Sequence, residues 1–292
     1  MNQRNRLYFS IISSFLLYIW ASIAVNAQQE GPYFKFPVLQ DGVYRLPSSQ
    51  ASALGYQSLE QVGIFGIPGM LPQKLDSSAL DLQAIPVRII GENLYFFLHG
   101  PHQVFNAEEG FDFQVHHYSD TLFYLIGPAV SQSATITSTQ IPASGPDLQE
   151  IFGVQYIKWE ETNLLTSGRS WFSRPIFNRE RLSYNFTVLS GASGPPKLTA
   201  KVMGQSFSEG RMEFFHNNTQ VGDVSINSIP NTTFGIKGRE AVFSANLQNA
   251  PNYNIQVNFI SADLNGTGYL SYSLLAFPFS PSNAPSGVYF SR

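Results

Sequence analysis

Residues 253–259, YNIQVNF, alternate apolar and polar side chains at every position. Successive side chains of a β-strand point to opposite faces, so this period of two predicts a strand with one buried face and one wet face. The same alternation recurs at residues 184–188 and 198–202, with a turn rich in glycine and proline at 191–196 between them. Short strands at this spacing, separated by turn signals, predict a β-sandwich in this half of the chain.

The composition of the 292 residues also favours an all-β fold. The chain has 24 Phe and 14 Tyr, which suit strands, together with 23 Gly and 18 Pro, which suit turns. It has 17 basic and 20 acidic residues, so it lacks the excess of Lys and Arg with which proteins neutralise phosphates. We therefore expect no nucleic-acid partner.

The first 27 residues have the features of a signal peptide. Arg4 and Arg6 precede an apolar stretch at 7–25, and small residues follow at 25–27. The alternative is an uncleaved membrane anchor, because the stretch approaches the length that spans a bilayer. No later stretch of the sequence is long or apolar enough to span a membrane. We therefore expect signal cleavage and export to the periplasm, the outer-membrane surface or the extracellular space.

The sequence after the signal peptide divides into two β-rich units. We predict an N-terminal β-rich domain at 28–130, then an edge strand and linker at 131–147, where Ser, Thr, Pro and Gly dominate. The β-sandwich domain follows at 148–275. Residues 276–292 are interpreted as a divergent or truncated tail.

One short helix is predicted within the N-terminal domain, at 51–54. Ser48 or Ser49 would cap its first turn through a side-chain oxygen. Gly55 would end it, because glycine adopts the left-handed conformation that closes many helices.

Three turns are predicted from the spacing of apolar runs and turn residues. Residues 91–93 would form a three-residue hairpin loop. The strand at 111–115 would pair with residues 121–126 through the next turn. Asn265 and Gly266 would form a hairpin turn, a better interpretation than a calcium loop because the distal glutamate of such loops is missing.

The chain contains no cysteine. It therefore forms no disulfide, although export would permit them, and it has neither a thiolate nucleophile nor a thiolate metal ligand. A serine nucleophile on a Gly-x-Ser-x-Gly elbow is also missing from the sequence. We expect no cofactor and no catalytic residue in this chain.

Histidines and carboxylates supply the remaining candidates for a metal site. His116 and His117 are neighbours on a predicted strand, so they point to opposite faces and would not bind one ion together. A loop set with the elements of an open zinc site consists of His99, His102, Glu108, Glu109 and Asp112. Because its spacing fits many ordinary loops, we favour hydrogen-bonded histidines.

Carboxylate pairs at 108–109 and 160–161 resemble those of glycosidases only in composition. Neighbours in sequence rarely face one scissile bond at the required separation. We expect solvated side chains, with Glu160 or Glu161 pairing Arg169 or Arg174 at little gain in stability.

Residues 158–177, KWEETNLLTSGRSWFSRPIF, depart most from simple strand alternation. They follow, in order, the segments DGVYRLP from Asp41, ALGY, VGIFGIPGMLP, LYFFLHGP and HHYSDTLFYLIG. Over about residues 33–272 this order resembles the N-terminal, non-catalytic region of the type IX secretion system sortase, a gingipain-type cysteine peptidase family. The residues that carry the resemblance are Gly42, Tyr44, Arg45, Phe65, Gly66, Gly69, Gly100, Pro101, Tyr118, Ser119, Asp120, Asn163, Ser167, Gly168, Arg169, Trp171 and Phe172.

The resemblance implies a role without chemistry for this chain. In that family a caspase-like domain with a His–Cys pair follows the β regions, removes a C-terminal signal domain from cargo and transfers the cargo to an anionic lipopolysaccharide. This sequence stops at Arg292 without such a domain, so we expect a fragment that acts as a scaffold or docking module at the cell surface. Its expected partners are outer-membrane secretion components or cargo proteins. The alternative is a free-standing secreted β-sandwich that binds glycan or protein.

We name residues 158–177 the family block; they also supply the candidate docking residues: Asn163, Gly168, Arg169, Trp171 and Phe172. Exposed, Trp159 and Trp171 would stack on sugars or anchor a partner protein. Buried, they would belong to the core, with Arg169 stacked on Trp171. We predict burial, because large aromatic side chains usually supply much of a core's area.

Overall fold

The computed structural model describes residues 32–67, 83–108, 110–116, 118–129, 136, 150–166 and 169–282. These residues are almost entirely β, as the composition and alternation predict. The strands are β1 (Phe34–Val38), β2 (Gly42–Pro47), β3 (Val62–Gly66), β4 (Gln83–Ile85), β5 (Val87–Ile90), β6 (Asn93–Leu98), β7 (Gln103–Ala107), β8 (Gly110–Gln114), β9 (Leu122–Pro128), β10 (Ile151–Lys158), β11 (Ile176–Phe177), β12 (Arg181–Phe186), β13 (Lys197–Gln205), β14 (Gly210–His216), β15 (Thr219–Ile226), β16 (Arg239–Asn246), β17 (Tyr253–Ser261) and β18 (Thr267–Phe279). The predicted signal peptide and nearly all of the predicted linker lie outside the described residues.

Two sheets enclose the N-terminal core. One has the order β1-β9-β3-β4 and the other β2-β6-β5. Buried side chains from both sheets meet between them, among them Ile64, Leu94, Leu98 and Tyr124. The described part of the predicted first domain thus has a hydrophobic core of its own.

The predicted helix is present as α1 (Ser48–Ala53), and Gly55 follows it with a positive φ of 96°. The predicted serine cap is wrong, because the N-terminal flanking residue is Pro47 and no side chain caps the first turn. The amide of Ser48 donates instead to the carbonyl of Glu92 at 2.9 Å. A backbone bond to a neighbouring turn therefore replaces the cap.

The hairpin between β5 and β6 is one residue tighter than predicted. Ile90 pairs with Asn93, so the loop consists of Gly91 and Glu92 alone. Asn93 is already the first residue of β6, where its side chain is half-buried.

The predicted pairing of residues 111–115 with 121–126 is wrong. β8 pairs with β7, whereas β9 lies between β1 and β3. The reason lies in where the side chains are buried: Tyr124 of β9 belongs to the N-terminal core, while Phe111 and Phe113 of β8 pack against β10 and β18. Strands adjacent in sequence thus serve different cores.

The second half of the chain forms the predicted sandwich. Its first sheet has the order β10-β18-β13-β16, with β11 attached to β18, and its second sheet has the order β12-β17-β14-β15. The apolar members of the alternating stretch on β17 are at most 3% exposed and lie in the core between the sheets. The polar members face outward from the second sheet, where Asn254 donates to Ser183 and Asn185 of β12.

The chain crosses from one sheet to the other between β17 and β18. The predicted Asn265–Gly266 hairpin is therefore wrong, because a hairpin joins neighbours in one sheet and these strands belong to two. Asp263 organises the turn by accepting the amide of Asn265 on its side chain and that of Gly266 on its carbonyl, both at 3.0 Å. β18 then runs to Phe279, past the predicted domain end at 275, and Phe277 and Phe279 are buried in the sandwich core.

The β7–β8 hairpin covers the outer face of the first sandwich sheet. Phe111 and Phe113 pack there against Tyr272 and Leu274 of β18. The Tyr272 hydroxyl donates to the Asp112 carboxylate, and burial with this hydrogen bond raises the pKa of Tyr272. The hairpin thus joins the N-terminal region to the sandwich. Among the described residues, no helix has the length and apolar character required to cross a membrane.

Candidate functional site

The family block 158–177 crosses one end of that outer face. Lys158 ends β10, and the chain then turns back so that Thr162 and Phe172 bridge through two backbone hydrogen bonds of 2.9 Å. Phe172 is buried against Met203 and Tyr269 of the sheet. This anchored bridge positions Leu165, Ser170 and Trp171 beside the sheet.

The structure separates the predicted docking residues by burial. Phe172 is a core residue, Asn163 is half-buried, and Arg169 is exposed. The side-chain oxygen of Asn163 accepts the amide of Leu165 at 3.2 Å. Gly168 lies outside the described residues.

The predicted burial of Trp171 is wrong, since 39% of the residue is exposed. Phe172 occupies the buried position, and in an extended segment its neighbour points the opposite way. Trp159 is half-buried against the sandwich core, with its ring centroid 5.1 Å from that of Tyr184. Trp171 therefore lies at the surface, whereas Trp159 packs against the core.

Trp171 and Arg169 line a depression of about 190 Å³, which we name the tryptophan cleft. It lies between the end of the β7–β8 hairpin and the returning segment of the family block. Its lining consists of Phe113, Gln114, Val115, His116, Trp159, Glu160, Arg169, Ser170, Trp171, Lys201, Glu240, Ser271 and Tyr272.

Ion pairs within the protein neutralise the carboxylates of this cleft. Glu240 pairs with Lys201 at 2.8 Å, and Glu160 pairs with Lys158 at 2.6 Å. The predicted pairing of Glu160 with an arginine is thus corrected, and Arg174 pairs with Glu180 at 2.6 Å. Lys158 lies only two residues before Glu160 in the chain, and the pairing of β13 with β16 places Lys201 diagonally across from Glu240.

A second, more apolar depression adjoins the cleft and shares Ser170 and Glu240 with it. We name it the apolar groove; its volume is about 560 Å³. Its lining consists of Asn163, Leu164, Leu165, Ser170, Phe172, Met203, Ile236, Lys237, Gly238, Arg239 and Glu240. Leu165 and Ile236 are exposed apolar side chains, and the exposed Lys237 and Arg239 add positive charge.

His102 lies at the junction between the hairpin and the sandwich. It is buried, its Nε2 is 3.3 Å from the Asp120 carboxylate, and its Nδ1 accepts the amide of His116 at 3.1 Å. Burial, followed by the charge of Lys158, lowers the pKa of His102. Hydrogen bonding to Lys158 lowers the pKa of Asp120.

The remaining members of the predicted metal set are dispersed. His99 lies 3.7 Å from the Asp41 carboxylate, and the Nδ1 of His116 accepts the amides of Tyr118 and Ser119. In the part of the chain that the structure describes, no three His, Asp or Glu side chains are grouped to hold a metal ion. Glu109 and His117 lie outside that part.

Sequence reasoning missed the cleft residues contributed by distant strands. Lys201 lies on β13 and Glu240 on β16, and pairing of these two strands brings them together. Gln114 arrives from the other side on the end of β8. Their positions depend on strand pairing, so no local pattern in the sequence signals them.

Comparisons with known proteins bear on the fold of this chain. No family model and no curated protein matches the sequence. The structure is similar to part of dimeric latent PorU from Porphyromonas gingivalis, with a TM-score of 0.70 and 21% sequence identity. The match covers 86% of this chain and 24% of PorU, so this chain spans about a quarter of that protein.

Two carbohydrate-binding modules are more distant. A CBM36 module in complex with calcium and xylotriose matches 44% of this chain and 92% of its own, with a TM-score of 0.27 and 13% identity. The CBM36-1 domain of a xylanase from the hindgut metagenome of Trinervitermes trinervoides matches 47% of this chain and 100% of its own, with a TM-score of 0.30 and 11% identity. Neither TM-score is high enough to support an inference about this chain.

Proposed function

We propose that this chain is the non-catalytic β region of a sortase-like, gingipain-type protein of the type IX secretion system. It acts as a scaffold or docking module at the surface of the cell. The observation that carries the proposal is the shared fold with PorU over 86% of the chain. The order of the sequence motifs, from Asp41 to the family block, supports it independently.

The absence of cysteine agrees with a binding role for this chain. A thiol peptidase needs a thiolate nucleophile, and these 292 residues supply none. Any thiol-dependent peptide cleavage associated with this region would depend on a cysteine of another domain or protein.

The apolar groove is the docking surface in this proposal. Its floor of Phe172 and Met203 is apolar, and Leu165 and Ile236 extend that character to the exposed edge. Lys237 and Arg239 favour an acidic neighbour, whereas Glu240 is already paired with Lys201. The partner is therefore a protein segment that inserts an apolar side chain beside carboxylates, carried by a secretion component or a cargo protein.

Crosslinking in a bacterium that has a type IX system tests this function. The tagged chain is expected to capture outer-membrane components of that system or proteins with the C-terminal secretion signal. Leu165→Asp should reduce this capture at least tenfold, because it places a carboxylate in the apolar groove beside the expected acidic segment.

Leu39→Asp is the matched control, since Leu39 is as exposed as Leu165, at 63% against 62%, and lies in the loop after β1. Capture by this control should equal that of the wild type. Recovery of a folded chain without any type IX protein would contradict the proposed function. Equal capture by both variants would contradict the assignment to the groove.

A further inference from the structure

The tryptophan cleft combines an exposed aromatic ring with closely spaced polar side chains. Trp171 forms part of the wall of the cleft and is 39% exposed. The next residue, Phe172, is buried and bridges Thr162, which fixes the backbone beside Trp171. The ring is therefore presented on a fixed backbone. Gln114 on the end of β8 and Arg169 on the returning segment supply planar hydrogen-bonding groups around it.

We propose that this cleft binds a neutral carbohydrate. The C–H face of a sugar ring is apolar and packs on an indole ring, while its hydroxyl groups require donors and acceptors in the surrounding plane. The cleft provides both: Trp171 supplies the ring, and Gln114 and Glu160 supply polar atoms. The cleft adjoins the apolar groove and shares Ser170 and Glu240 with it, but Gln114, Glu160 and Trp171 line the cleft alone. Sugar binding here does not depend on the proposed function.

The charges around the cleft select a neutral ligand. Lys201 pairs with Glu240, and Lys158 pairs with both Glu160 and Asp120. Together with Arg169 of the lining, these residues are three cations and three carboxylates, so the net charge around the cleft is close to zero. Paired ions still offer lone pairs and N–H groups to hydroxyls, but they provide little net attraction for a phosphate or a charged peptide. A polyhydroxylated, uncharged molecule fits this arrangement.

The size of the cleft limits how much of a glycan it holds. Its volume of about 190 Å³ is below the roughly 300–1,000 Å³ of pockets that enclose drug-sized ligands. It therefore accommodates one sugar ring, with the rest of an oligosaccharide outside. Such partial enclosure predicts weak binding, with a Kd on the order of 0.1–1 mM.

An array of neutral and anionic oligosaccharides, probed with the purified chain, tests the proposal. We expect the chain to bind at least one neutral glycan. Titration calorimetry with that glycan then measures the affinity. Trp171→Ala should weaken binding at least tenfold. Phe207→Ala is the matched control, because it removes an exposed ring from the loop after β13, and it should bind as the wild type does.

Circular dichroism and thermal melting confirm that each variant is folded before binding is compared. Gln114→Ala is the second variant, and it should weaken binding without altering the aromatic wall. Failure of the folded wild type to bind any neutral glycan would overturn the proposal. Binding restricted to anionic glycans, or binding unaffected by Trp171→Ala, would also overturn it. Loss of capture in the crosslinking experiment would leave this result unchanged, since the two sites are tested by different variants.

Discussion

At the residue scale, the position of Gly100 gives a physical reason for part of the sequence signature, the ordered motif segments from Asp41 to the family block. Its amide donates to the Asp41 carboxylate at 2.6 Å, and a Cβ atom added to it would lie 2.6 Å from the Cα of Gln40. Two segments of the signature, one starting at Asp41 and the other ending at Pro101, therefore meet here backbone to backbone. Only glycine allows this approach.

Gly100→Ala should lower the free energy of unfolding by about 1–3 kcal/mol, because the backbone of Gln40 must shift to make room. Urea denaturation measures the change. Gly194→Ala is the control: its Cβ would lie 3.4 Å from Pro278, an ordinary contact, so its effect should stay within about 1 kcal/mol. Equal losses for both variants would refute the explanation.

Residue-scale burial was only partly predictable from the family block. Aromatic content indicated that the segment would be packed, and Phe172 is indeed core. It did not indicate which aromatic would face inward, because the Thr162–Phe172 bridge sets that alternation. Trp171 was consequently assigned to the wrong face. A candidate site that depends on the exposed ring of Trp171 is therefore hard to predict without knowing that Thr162 pairs with Phe172.

At the scale of elements, the junction between the β7–β8 hairpin and the sandwich makes stability depend on pH. His102 is held with its Nδ1 as an acceptor from the amide of His116, an arrangement that requires the neutral ring. Burial lowers the pKa of His102 in the folded protein, so the unfolded chain binds its proton more readily. The stability from this residue is therefore present above about pH 6.5 and is lost as the pH falls.

His102→Asn tests this dependence, because the amide oxygen replaces Nδ1 as an acceptor and does not titrate. Between pH 7.5 and 5.5 the wild type should lose more free energy of unfolding than the variant does. Gln83→Asn, at an exposed position of β4, is the control and should retain the slope of the wild type, because neither side chain titrates. Identical slopes for the wild type and His102→Asn would rule out the junction as the cause.

Elements also show where sequence patterns stop being informative. The alternation on β17 predicted its buried face correctly, because a period of two depends only on the strand itself. The turn at Asn265 and Gly266 has hairpin chemistry, yet it joins strands of different sheets. The pairing of β8 was missed for the same reason. Which strand lies next to which is decided by the cores they fill, and local sequence does not contain that information.

At the scale of the whole molecule, the hairpin contact makes the two halves of the chain interdependent. Phe152 and Val154 of β10 and Leu274 of β18 face the hairpin and lie outside the core between the sandwich sheets. A division in the predicted linker would separate this face from its cover. Exposed apolar patches of this kind drive association of soluble proteins.

A fragment of residues 150–282 should therefore self-associate, although its own core is complete. Size-exclusion chromatography and binding of a hydrophobic dye measure this, with the full chain expected to be monodisperse. Replacing Phe152, Val154 and Leu274 by threonine should return the fragment to a monomer, because threonine keeps strand propensity while removing apolar surface. A monomeric unmodified fragment without dye binding would contradict this view. The sandwich would then be an independent domain, and the hairpin an accessory that rests on it without being needed for solubility.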